Sequence, residues 1–127
     1  MHDEIARDWI PTEEGATIGA PGPEGGRVLA DSEWADPEDP EDADARLTIE
    51  SADEGFRVIG QLYGGWFHRI ECFPSLAAAE TGAEWFRATL ERLAGMIPYE
   101  EDRDVPRKVR ELIAAAESSL TAPVPGA

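Results

Sequence analysis

His68, Glu71 and Cys72 are the one group in this 127-residue chain whose residue types could do catalysis. A cysteine activated by a histidine needs the two side chains within hydrogen-bond reach. The stretch FHRIECF around them reads as a β-strand. On a strand, His68 and Cys72 share a face but stand about 13 Å apart along it, and Glu71 points the other way. A cysteine–histidine dyad therefore fails on geometry, and a lone strand histidine reads as structural. The second histidine, His2, lies in the terminus. No GxGxxG, Walker, HExxH or GxSxG pattern occurs. A single cysteine allows no internal disulfide and no cysteine-based zinc cluster. We assign no catalytic residue, no metal and no cofactor.

The aromatic pair Tyr63 and Trp66, beside Arg57, Gln61 and His68, points to binding instead. Aromatic rings with an arginine are typical interface anchors. They also stack on nucleic-acid bases, but a net charge of −16 opposes a nucleic-acid partner. That charge is lopsided: residues 1–54 hold 17 acids and 3 bases, and residues 55–127 hold 10 acids and 8 bases. A front half of this kind repels polyanions and anionic lipid and attracts basic surfaces; it also keeps a protein soluble. Its densest part is DPEDPEDAD, with Asp36, Glu38, Asp39, Glu41, Asp42 and Asp44 around two prolines. Mutual repulsion and missing donors make this a solvated loop or a partner-facing patch. It lacks the sixth-position glycine and twelfth-position glutamate of an EF-hand loop.

In size, acidity and lack of catalytic residue types the chain resembles the immunity proteins that block bacterial toxins. That resemblance implies a non-enzymatic binder of a basic protein partner. Two alternatives stand beside it: a small-molecule-binding protein or enzyme with a pocket around Tyr63, Trp66 and His68, and a structural subunit of a larger assembly. No apolar run approaches the roughly 18 residues of a membrane span. The start MHDEIARDWI is acidic where a signal peptide is basic. We expect a cytoplasmic protein with no membrane partner; the sequence sets no oligomeric state.

The elements that must position these residues read as one α+β domain over 1–120, with a disordered tail at 121–127. Residues Ile5, Trp9 and Ile10 could edge a short helix ended by Pro11; a frayed terminus with Trp9 tucked against the domain reads better. Ala16–Gly19 and Arg27–Trp34 read as strands around a Pro/Gly turn. In ARLTIES, Leu47 and Ile49 point one way and Arg46, Thr48 and Glu50 the other. A short hairpin loop at Asp53-Glu54-Gly55 leads to the next strand. A Gly64-Gly65 turn then sets a register pairing Leu62 with Phe67, Gln61 with His68, Gly60 with Arg69, Arg57 with Cys72 and Phe56 with Phe73.

Ser75 caps a 23-residue helix to Ile97, with the apolar stripe Leu76, Ala79, Ala83, Phe86, Leu90, Leu93 and Ile97. The helix should cover Phe56, Val58, Leu62, Phe67 and Phe73, with Gly60 allowing close approach and Arg69 pairing with Glu71 or sitting at the rim. Arg57, Gln61, Tyr63, Trp66 and His68 would show on the other face, either to a partner or beneath the N-terminal segment or the last helix. Asp104 should cap that last helix, which runs to about Leu120. Arg107, Lys108 and Arg110 near its start read as pairing with Glu100, Glu101 or the acidic loop rather than as an anion site. The whole is an antiparallel meander of four to five strands, the long helix across one face, and a second C-terminal helix at an edge or beside the first.

Overall fold

A computed structural model describes residues 6–99 and 101–127; His2, Ile5 and Glu100, invoked above, lie outside them. Five antiparallel strands form one sheet in sequence order: β1 (Asp8–Pro11), β2 (Val28–Ala35), β3 (Ala45–Ala52), β4 (Gly55–Leu62) and β5 (Phe67–Phe73). Two helices follow, α1 (Leu76–Ala94) and α2 (Val105–Thr121). The α+β meander expected from the sequence is the fold. Among the described residues, no helix is long and apolar enough to cross a membrane.

The central hairpin takes the expected register, from Phe56 opposite Phe73 to Leu62 opposite Phe67. Its turn needs two residues at positive φ, and Gly64 and Gly65 supply φ of 94° and 78°. The alternation along β4 and β5 then sends Val58, Leu62, Phe67 and Phe73 to one face, where they bury with Ala83, Phe86 and Leu90 of α1. Burying each large side chain is worth about 1.5–3 kcal/mol. Close packing depends on two missing side chains. A Cβ at Gly60 would lie 2.5 Å from Phe86 Cδ1, and one at Gly82 would lie 2.2 Å from Phe73 Cζ.

Ser75 caps α1 by accepting from the Ala78 N–H at 3.1 Å. The helix ends at Ala94 and not at Ile97, because the bonding pattern tightens there: the Met96 and Ile97 N–H groups reach back three residues, to the Leu93 and Ala94 carbonyls. Leu76, expected in the buried stripe, is exposed. α2 packs against β5 and α1 through Leu112 and Ala116. Asp104 does not cap it as expected. It sits at φ 58° with no side-chain cap bond, and its carboxylate holds Arg107. Lys108 meets Asp102, so Arg107 and Lys108 do pair with acids, but with Asp104 and Asp102 and not with the expected Glu101 or acidic loop. Residues 121–127, expected to be disordered, carry Val124 back to the core.

The N-terminal third departs most from expectation. Residues 8–11 form neither a frayed terminus nor a helix but a strand, because Ala35 to Ser32 of β2 offer them a ladder. Trp9 does tuck against the domain, 5.5 Å from Trp34, and its Nε1 donates to Glu91. Ala16–Gly19 is a chain of turns, not a strand. A short 3-10 turn at Thr12–Gly15 precedes it. Backbone bonds between Gly19 and Val28 and between Gly22 and Gly26 still close an irregular hairpin ahead of β2.

Candidate functional site

The sheet face away from the helices divides into a covered part and an open part. Across β4 and β5 it shows His68, Ile70 and Cys72, all exposed, with Gln61 half-buried opposite His68. Glu71 lies on the helix side, where it pairs with Arg69 at 3.1 Å. The three residue types that could do catalysis are thus split between two faces.

Over β2 and β3 the segment 12–27 covers the face, and two carboxylates anchor it. Asp31 is locked by Arg46 of the neighbouring strand, whose Nε donates at 2.9 Å and whose Nη2 completes a two-pronged pair. Thr12 and Thr48 donate to the same carboxylate at 3.0 and 3.1 Å. Burial pushes the Asp31 carboxyl up, but the Arg46 bonds and charge, with the hydroxyls of Thr17 and Thr12, outweigh it and hold the acid below its ordinary value. The Thr17 hydroxyl also faces this carboxylate, though outside hydrogen-bond geometry. Among the described residues it is the one buried side-chain oxygen left unpartnered.

Glu50, fully buried, takes Arg57 Nε and Nη2, each at 2.9 Å. It also accepts from the backbone N–H groups of Gly26 and Glu24 at 3.2 and 3.3 Å. A side chain at Gly22 would collide with Glu50 and one at Gly26 with the Ser51 carbonyl, so the loop can lie this close only with glycine there. Arg57, expected among the binding residues, is therefore committed to Glu50. The sequence reading missed this lock, although the hairpin at Asp53-Glu54 places Glu50 opposite Arg57 on the ladder.

The candidate site lies at one end of the sheet. The β2–β3 connection and the β4–β5 turn emerge there side by side, and the Tyr63 N–H donates to the Asp44 carbonyl at 2.8 Å. Glu38, Asp39, Glu41 and Asp42 are exposed; Asp36 and Asp44 are half-buried. Asp36 shapes the loop by accepting from the Glu38 N–H through its side chain and from the Asp39 N–H through its carbonyl. The Tyr63 hydroxyl donates to Glu33 at 2.6 Å. Burial and that neighbouring carboxylate push the phenol far above its ordinary value, so the ring stays neutral. Arg7 reaches Asp44 at 3.3 Å. Burial still leaves the Asp44 carboxyl above its usual range, with Arg7 pulling it down and Asp42 adding to the rise.

Of the residues named from the sequence, the structure brings Tyr63 together with the acidic loop. Trp66 leaves that group and packs against the helix-side core. His68 and Gln61 follow on the open face, one ladder step in from the turn. Such an end can recognise cations: clustered carboxylates pair with ammonium or guanidinium groups, and a partly exposed ring stacks on a guanidinium plane. Among the described residues, no group of three or more His, Cys, Asp or Glu is arranged to hold a metal ion. Comparison with known proteins finds no matching family model, curated protein or solved structure.

Proposed function

We propose that this chain is a non-enzymatic binding module, of immunity or inhibitor type, whose acidic sheet end engages a basic protein partner. The observation that carries the reading is the Tyr63 N–H···Asp44 carbonyl bond at 2.8 Å. It joins the acidic loop and the aromatic turn, well separated in sequence, into one surface. The exposed carboxylates of Glu38, Asp39, Glu41 and Asp42 speed encounter with a positive surface, because their field is felt over roughly 8 Å at physiological salt. Tyr63, about a third exposed at 36% and tied to Glu33, offers a preset ring that loses little entropy on binding.

The test is capture on the immobilised chain from host lysate, at low and moderate salt. A variant carrying E38K, D39K, E41K and D42K serves as the control. A basic protein held by the wild type and released by the variant, with an association rate that falls as salt rises, supports the proposal. Capture of the same proteins by both forms, or of none at either salt, overturns it.

A further inference from the structure

The two helices leave part of their own side of the sheet uncovered. α1 lies chiefly across β4 and β3, and α2 against β5. On the helix-side face of β1 and β2, Trp9 and Trp34 pack toward the core, and the exposed remainder near Pro11 and Leu29 lies on a strip two strands wide, roughly 10 Å. That matches the 8–10 Å at which a further helix packs beside its neighbour. A cleft of about 710 Å³ runs there, lined by Trp9, Pro11, Ile18 and Leu29 on one side and by Glu84 and Arg87 of α1 on the other.

Its apolar lining is presented outward. Ile18 is 51% exposed and Leu29 38%. Leu29 sits where the β2–β3 register shifts between Val28 and Ala30, a bulge that re-aims a side chain. The rim is acidic. Glu13 and Glu14 are exposed in the short turn between the lining residues Pro11 and Gly15, and Glu84 faces Arg87 in an ion pair. With Glu84 and Arg87 neutralising each other, Glu13 and Glu14 leave this margin of the cleft net negative.

The geometry points to this cleft as the seat of one amphipathic helix from the partner, apolar along the face that meets Leu29 and Ile18 and flanked by Lys or Arg. The inference rests on the proposed binding of a basic protein and names the part of the partner that docks. A second copy of the chain fits poorly, since each copy carries a net charge of −16. A small molecule fits poorly as well, because the cleft opens broadly to solvent and cannot enclose most of a ligand's surface.

The probe is a phage-displayed library of 15-residue helical peptides. Stripe positions vary among Leu, Ile, Phe, Met and Ala, and flanking positions among Lys, Arg, Glu, Asp, Gln and Ser. We expect enrichment of peptides with an unbroken apolar stripe and Lys or Arg flanks. They should shift the amide resonances of Ile18, Leu29, Ser32 and Arg87, and bind at least about tenfold more weakly to I18D and to L29K, two changes at exposed positions. Enrichment of acidic flanks, no enrichment, or peptides indifferent to both variants overturns the inference. Basic peptides that bind without a stripe and shift only residues 36–44 overturn the cleft and leave the acidic end standing. Stripe-dependent binding at the cleft by a chain that captures no basic protein separates the two the other way. A wild-type dimer that L29K dissolves replaces the partner helix with a second copy.

Discussion

Arg46 grips Asp31 across neighbouring strands, with Nε on one carboxylate oxygen and Nη2 on the other. The Asp31 side chain is 0% exposed, whereas that of Arg46 keeps 23%. Removing one partner of such a pair leaves the other charge desolvated, and with Arg46 still reaching water the cost should fall at the low end of the range, about 3 kcal/mol. Asp31→Asn should show that loss in urea unfolding at neutral pH. Its acid limb should change as well. A carboxyl held below its ordinary value of 3.8 adds stability that is complete above that value and is lost as pH falls through the lowered one. Asp44 runs the other way: its raised value means that stability declines as pH climbs from 3.8 to that value. Asp31→Asn should therefore flatten the stability profile below about pH 3.8, and Asp44→Asn should remove an opposing slope just above it.

Gly82→Ala would gain about 1 kcal/mol of helix propensity on a bare helix. Here we expect a net loss of about 1–3 kcal/mol, the usual cost of overfilling a core, since the new Cβ would meet the Phe73 ring at 2.2 Å. Thermal unfolding of Gly82→Ala, Phe73→Leu and the double variant checks it. Coupling should make the double variant more stable than the sum of the two losses. Strict additivity would mean that helix and strand do not meet there.

Arg69 ties three elements together. Its Nη1 donates to the Ser119 and Ala122 carbonyls at 2.8 and 2.7 Å, its Nε and Nη2 reach Glu71, and its guanidinium lies 5.3 Å from the Trp85 ring centroid. It thereby satisfies carbonyls that a helix end leaves unpaired and places a cation where the dipole is negative. A lysine offers a point charge and cannot fork across these acceptors, so Arg69→Lys should cut hydrogen-exchange protection in α2 by about tenfold or more. Amides of β3 and β4 should keep theirs. Equal loss across the sheet would show that Arg69 supports the whole fold and not the docking of one helix.

The second half of the chain was legible because local chemistry and tertiary demand agree there. Two glycines at positive φ set the hairpin register, and the spacing of Ala79, Ala83, Phe86, Leu90 and Leu93 set the face of α1. The first third was not, because its structure is lent by distant partners. Asp8–Pro11 has no strand pattern of its own and takes one from β2. Glu13 and Glu14 adopt left-handed conformations that no rule for glutamate anticipates. In the candidate site, the acidic loop and Tyr63 could be named from composition, but their contact could not, since it depends on which connections leave the sheet at the same end. The burial of Asp31 and Glu50 was hidden for a related reason. An acid in an acid-rich sequence reads as solvated until the strand beside it supplies an arginine.

Each strand in this sheet hydrogen-bonds to the one that precedes it in the chain. During synthesis a ladder can therefore close as soon as its second strand leaves the ribosome, with no earlier segment kept waiting for a distant mate. Low sequence separation between contacts favours rapid folding, and a nascent chain of this connectivity spends little time with sticky edges bare. The latest arrivals, α2 and Val124, then settle on a body already assembled.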